Sequence, residues 1–140
     1  MTQEDKELLL KDLCGRLPYG VKGQAKSMII KVSDEPWTLT DINVKLNRFG
    51  ADLQINIPLY NRMGECNFKP YLFPMSSMTE EQQKELEDTL IEMELKAISD
   101  EIKRIDVAAY EIDFYNKHHI DYRGLIVKGL ALDATGMSIY

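Results

Sequence analysis

The spacing of apolar residues changes twice along this chain, and that change limits the folds open to it. Leu9 and Leu13, with Leu17 beyond them and Leu10 and Cys14 alongside, recur at intervals of three and four and predict an amphipathic helix over 3–16. Thr2 stands where an N-cap belongs with Asp5 three residues on, acids fill the first turn, Gly15 falls near the expected end and Pro18 prevents continuation. From 20 to 69 the period becomes two, and after residue 79 it returns to three and four. Helix, then strands, then helices is the order of an α+β domain, not of alternating βαβ units.

Within 20–69, three runs read as strands: "VKGQAKSMIIKV", "WTLTDINVKL" and "ADLQINIPLY", divided by "SDEP" and "NRFG" and followed by "NRMG". The third alternates Leu53, Ile55 and Ile57 with Asp52, Gln54 and Asn56. The second changes phase, from odd positions (Trp37, Leu39) to even ones (Ile42, Val44, Leu46). The first changes from Val21 and Ala25 to Met28, Ile30 and Val32. A phase change inside a run marks a bulge or a bend, or strand ends buried on both faces. The expectation is a bent antiparallel meander of three to four strands, with a small partly open barrel as its closed alternative.

"FKPYLFPMSSM" (68–78) is expected to leave the sheet as an extended strap, because Pro70 and Pro74 forbid a helix while Phe68, Tyr71, Leu72 and Phe73 pin it to the core. Thr79 with Gln82 three residues on is a capping box, and Leu86, Leu90, Met93 and Ala97 form the inward stripe of the helix that follows. A second helix is expected from about 100 to 118, with Ile102, Ile105, Ala109, Ile112 and His119 or Tyr115 facing inward. Whether 80–118 is one rod or a hairpin is open, since no Gly or Pro enforces a break near residues 98–100. At 140 residues the chain reads as one domain, long enough to bury about 68% of its unfolded surface. Its parts are a helix (1–18), a sheet region (19–73) and a helical region (74–140).

Charge is unevenly spread. Residues 1–73 hold ten Lys and Arg against nine Asp and Glu, whereas 74–140 hold seven against fourteen, so the second half would repel a phosphate backbone. No run approaches the ~18 apolar residues of a membrane span, and the N-terminal stretch lacks the basic and apolar regions of a signal peptide. Cys14 and Cys66 are too few for a disulfide framework, so a reduced, cytoplasmic protein is expected. Nine acids against Lys84 and Lys96 over 80–101 give either a solvated helix face, a mimic of nucleic acid or a surface for a basic partner.

The residues with the most chemistry cluster in "NKHHIDYRGLIVKGL" (116–130). His118, His119, Asp121, Tyr122 and Arg123 hold the elements of acid–base hydrolysis: a histidine oriented by Asp121, beside a phenol and an oxyanion-stabilising guanidinium. No nucleophile motif, P-loop or G-x-G-x-x-G accompanies them, so no cofactor is expected. No metal site is expected either, since adjacent helical residues point about 100° apart and there is no third histidine. The structural reading places the histidines at a helix C-terminus, Asp121 as the cap of a following turn, and Leu125, Ile126 and Leu130 in the core. A nucleic-acid reading would use Lys22, Lys26, Lys31, Lys45 and Arg48 of the strands with Trp37 or Phe49 stacking.

Three stretches, "LLKDLCGRLPYGVK" (9–22), "FKPYLFPMSSMTEEQ" (68–82) and "NKHHIDYRGLIVKGLALDA" (116–134), about a third of the chain, resemble a family of small proteins encoded by gut Bacteroidales and by their prophages and mobile elements. The resemblance implies a bacterial, cytoplasmic setting and a phage-related role; the family has no established activity, so it assigns no functional residue. The leading expectation is a non-enzymatic module that binds a protein partner or a second copy of itself. A nucleic-acid-binding sheet and a small hydrolase centred on 118–123 are the alternatives.

Overall fold

A computed structural model of the protein describes residues 2–26, 36–39, 41–47, 50–56 and 67–140. Helix α1 (Gln3–Arg16) starts on a reciprocal capping box, Thr2 accepting from the Asp5 N–H and Asp5 accepting from the Thr2 N–H, and runs into a 3-10 turn at Leu17–Tyr19. Strands β1 (Lys22–Lys26), β2 (Trp37–Thr38), β3 (Asp41–Asn47), β4 (Gly50–Asn56) and β5 (Asn67–Leu72) follow. Next come helices α2 (Glu80–Ile98) and α3 (Arg104–Lys117), and last the short β6 (Leu132–Asp133). The fold is α+β, as the change of period requires.

One open mixed sheet has the order β2-β1-β5-β6, with β1 antiparallel to both neighbours and β6 parallel to β5. A separate antiparallel hairpin pairs β3 with β4. The phase change in 37–46 is therefore a change of sheet: β2 adds to β1, and β3 then starts its own pairing. Its register sets Ile42 opposite Ile55, Val44 opposite Leu53 and Leu46 opposite Ala51, so the even apolar positions of one strand meet the odd ones of the other. The phase change in the first run falls on residues 28–32, and Ile57 of the third run on residue 57, all outside the described residues.

The 68–78 segment does not leave the sheet at once, as its prolines suggest; through Leu72 it is a strand between two others. Pro70 lies opposite Gly23, and pairing with β6 begins only at Tyr71, so the missing N–H falls outside that short ladder. Gly23 makes this approach possible, since a Cβ there would collide with the Lys69 carbonyl oxygen and with Cζ of Phe68. As expected, Phe68 and Leu72 are buried, with Tyr71 and Phe73 half-buried.

The core joins Leu9 and Leu13 of α1 to Phe68 and Leu72 of β5 and to Val21 and Leu39, which adjoin β1 and β2, and is closed by Leu125, Leu130 and Ala131. On α1 the buried face differs from the expected one: Cys14 is exposed, whereas Asp12 and Arg16 are buried. The pair can be buried because its charges neutralise one another, Arg16 Nε and Nη2 donating to the two Asp12 carboxylate oxygens at 2.7 and 3.0 Å.

Residues 80–117 form a hairpin, not one rod. α2 begins on the expected Thr79–Gln82 capping box. It ends with Asp100 in the left-handed region (φ 60°), the Glu101 N–H donating to Lys96 O and the Asp100 N–H to Ala97 O. That is a Schellman stop, with aspartate in the place usually given to glycine. Leu86 and Ala97 are buried, with Leu90 and Met93 half-buried beside them. α2 and α3 pack chiefly on each other, and α3 also contacts α1. No helix among the described residues is long and apolar enough to cross a membrane.

Candidate functional site

α3 stops the way α2 does. His118 is its C-cap, and His119 has φ 57°. The Ile120 N–H donates to Tyr115 O at 2.8 Å and the His119 N–H to Asn116 O at 3.2 Å, a second Schellman motif with histidine in the left-handed position. Beyond the stop the chain is tied to the end of β5, the Phe73 N–H donating to His119 O and the Asp121 N–H to Phe73 O. The adjacent histidines are thus the point where a helix reverses onto the sheet.

Their side chains diverge. The His118 ring packs on Phe114, centroids 4.5 Å apart, with its Nδ1 3.4 Å from the Gln82 amide nitrogen of α2. The His119 ring is buried and lies face to face on Tyr140, centroids 3.6 Å apart and planes within 10°. Tyr140 is anchored at the sheet: its hydroxyl donates to Tyr71 O at 2.8 Å and accepts from the Lys22 N–H at 2.9 Å. Burial, reinforced by the positive charge of Arg16, lowers the His119 pKa to about 4, so its ring is neutral at pH 7. His118 is lowered too, chiefly by burial, and burial pushes Tyr140 up to about 12.

Asp121 faces neither histidine. Its two carboxylate oxygens accept the N–H groups of Leu125 (2.8 Å) and Ile126 (2.9 Å), which folds the 122–130 turn and presses Leu125 and Leu130 into the core. Tyr122 stacks on Tyr115 at 5.5 Å, and two guanidinium groups lie near its ring, Arg16 at 5.5 Å and Arg123 at 4.9 Å from its centre. Arg123 Nε is 3.7 Å from Asp12 Oδ1, an ion pair without a hydrogen bond. Arg16, below them, also donates to Ile120 O at 2.7 Å.

The five residues singled out in the sequence are therefore neighbours with separate tasks. His118 faces α2, His119 faces Tyr140, Asp121 holds its own turn, and Tyr122 and Arg123 cover the Asp12–Arg16 pair. Among the described residues the oriented His–Asp pair that acid–base chemistry needs is not assembled: Asp121 accepts the Leu125 and Ile126 N–H groups, and neither histidine donates to it. Enclosed without a hydrogen-bond partner among the described residues are His118 Nε2, His119 Nδ1, Asn116 Oδ1 and Arg123 Nε. No cluster of three metal-ligating side chains occurs among those residues. Asp12, Arg16 and Tyr140 are the members that sequence reasoning missed; only the i, i+4 spacing of Asp12 and Arg16 hinted at a pair.

Of the strand residues considered for nucleic acid, Lys22 and Lys26 lie on β1 and Trp37 on β2, whereas Lys45 belongs to the other sheet and Lys31, Arg48 and Phe49 fall outside the described residues. The Lys22 ammonium donates to Ile139 O at 2.9 Å.

The surface left unpaired is elsewhere. Ile105, Ala109 and Ile112, expected to face inward, are exposed on α3; Val107 and Phe114 are buried in their place and Tyr110 is half-buried. α3 carries two apolar stripes at helical spacing, and spacing alone cannot say which one meets α2. α2 likewise exposes Ile91 (61%), Leu95 (64%) and Ile98 (69%), opposite its packed stripe. Comparison with protein-family models, with curated proteins and with solved structures returns no match for this chain.

Proposed function

We propose that this chain is a non-enzymatic protein-interaction module whose docking element is the α2–α3 hairpin. The observation that carries the reading is the set of aliphatic side chains on the outer faces of that hairpin, Ile105 alone being 70% exposed. Isolated exposed apolar residues are ordinary, but three at i, i+4 and i+7 on one helix form a stripe of the kind helices use to dock. The residues with catalytic potential are meanwhile engaged in stopping a helix, folding a turn and covering a buried ion pair.

The magnitudes show what such docking requires. Covering Ile91, Leu95, Ile98 and Ile105, each about two-thirds exposed, contributes about 1–2 kcal/mol per side chain, or about 4–8 in all. Association costs about 4–15 kcal/mol in lost freedom, so the stripe needs help from its polar rim. A bacterial cytoplasmic setting with a prophage-linked role, implied by the sequence resemblance, belongs to the same proposal.

The test is affinity capture from a bacterial lysate, comparing wild type with Leu95→Glu by quantitative mass spectrometry. Leu95 is exposed, so the variant keeps the wild-type circular dichroism spectrum and melting temperature. Proteins retained by wild type and lost by the variant are the expected result. Equal recovery of every protein by both would refute the hairpin as the docking element.

A further inference from the structure

We infer that the occupant of the outer face of α2 is a basic amphipathic helix, a proposal that rests on the interaction-module reading and names its partner class. On a helix advancing 100° per residue, Ile91, Leu95 and Ile98 fall within an arc of about 60°. The packed residues Leu86, Leu90, Met93 and Ala97 lie about 140° away, so the exposed stripe belongs to a face that nothing among the described residues covers. The stripe sits in the C-terminal half of α2, with the shape of one helix laid along another.

Its rim selects the partner. Glu87 and Glu94 border the stripe on one side, and Asp88 and Glu92 on the other. Over 80–101 nine acids are exposed against two lysines. Only two of these acids are paired among the described residues, Glu92 with Lys96 at 3.1 Å and Glu94 with Arg104 at 3.6 Å, both exposed contacts of small energy. Glu87 and Asp88 have no cationic partner among those residues. A second copy docking α2 on α2 would bring acids against acids on both sides of the stripe, a like-charge arrangement that an interface avoids. A helix with an apolar stripe flanked by Lys and Arg meets both features at once: its aliphatic side chains cover Ile91, Leu95 and Ile98, and its cations lie over the acidic rim. Lys84, two turns before the stripe on the same face, marks where the acidic rim is interrupted.

The experiment uses the full chain and three fluorescein-labelled helical peptides of about 18 residues, long enough to run alongside α2. One has leucines at i, i+4 and i+7 with Lys and Arg flanks, the second is its scramble, and the third keeps the leucines with Glu flanks. Fluorescence anisotropy is expected to show binding of the first alone, weakened roughly tenfold or more by raising NaCl from about 0.05 to about 0.5 M. Leu95→Glu separates the two contributions. It adds negative charge, so a site working by charge alone binds the basic peptide more tightly, whereas the stripe proposed here binds it at least about tenfold more weakly. Equal binding of the scramble, tighter binding by Leu95→Glu, or a dimer of the protein that Leu95→Glu dissolves would each overturn the proposal. If no peptide binds while lysate capture still depends on Leu95, the basic-helix class fails and the interaction module stands; if capture is also indifferent, both fail.

Discussion

Replacing His119 by alanine and by glycine tests whether the histidine pair is architecture. At φ 57° any residue with a Cβ costs about 1–2 kcal/mol relative to glycine. Histidine offsets that cost through its buried ring on Tyr140, a stack worth about 0.5–1.5 kcal/mol beyond the area it covers. Alanine loses the ring and keeps the strain. Glycine loses the ring and the strain together, at the cost of about 0.4–1 kcal/mol from greater freedom in the unfolded chain. The Gly variant should therefore be more stable than the Ala variant by about 0.5–1 kcal/mol, and both less stable than wild type. In a helix interior the order is reversed, with Ala ahead of Gly by about 1 kcal/mol, so the sign of the difference carries the result. Urea unfolding followed by circular dichroism measures it, provided the denaturant slope stays constant across the three proteins. An Ala variant more stable than the Gly variant would refute the Schellman geometry and return His119 to the residues that need another explanation.

Two further outcomes follow from the same cluster. Asp12→Ala leaves the Arg16 guanidinium buried without its counter-charge and is expected to cost about 3–5 kcal/mol in the same assay, whereas Asp12→Leu with Arg16→Met is close to neutral. The double variant is tolerated because Tyr115 O keeps the Ile120 N–H and Ile120 O keeps the Tyr122 N–H; a single-variant cost below about 1 kcal/mol would contradict the buried pair. The lowered pKa of His119 sets the sign of a pH effect: between about 6.5 and about 4 the unfolded chain binds a proton that the folded one does not, so stability falls with pH by up to about 1.4 kcal/mol per unit. Asp5 and Asp133, whose own pKa values are lowered by hydrogen bonds from Thr2 and Thr135, act below that window. His118, also lowered chiefly by burial, adds to the same window. Urea midpoints at pH 7 and pH 5 should therefore differ in wild type and differ less in His119→Ala, the remainder being lost in His118→Ala; a difference unchanged by His119→Ala would show that His119 is not responsible.

Local chemistry made part of this fold legible. The capping boxes at Thr2 and Thr79 and the Leu86–Ala97 stripe need nothing beyond residues three and four positions away. What could not be read depends on contacts between distant segments. Pro70 argues against a strand until Gly23 is placed opposite it. β6 is two residues long and exists because Leu72 O accepts the Ala134 N–H beside it. The helix stops at Asp100 and His119 carry no glycine, so the signal that normally announces a left-handed residue is missing at both. In the candidate site, the reading of Asp121 as a turn cap is the part that local sequence carried, since its oxygens accept from the Leu125 and Ile126 N–H groups. The site's partners were not visible, since Asp12, Arg16 and Tyr140 lie far from residues 118–123 in sequence.

The same limit governs α3 and leads to function. Its sequence offers two apolar stripes, Ile105–Ala109–Ile112 and Val107–Tyr110–Phe114, and a helix in a small domain has one neighbour to give them to. α2 takes the second. α1 reaches only the far end of α3, where Gly15 comes so close to Asn116 that a Cβ there would stand 2.8 Å from its amide nitrogen. The first stripe is left in water along with Ile91, Leu95 and Ile98 of α2, on a hairpin whose acids are largely unpaired among the described residues. Folding gains nothing from aliphatic side chains in those positions, whereas a charged or polar residue at each would stabilise the free helix as well or better. On the proposal made above, a partner covers the stripe, and the acids beside it set the sign of the charge that partner carries.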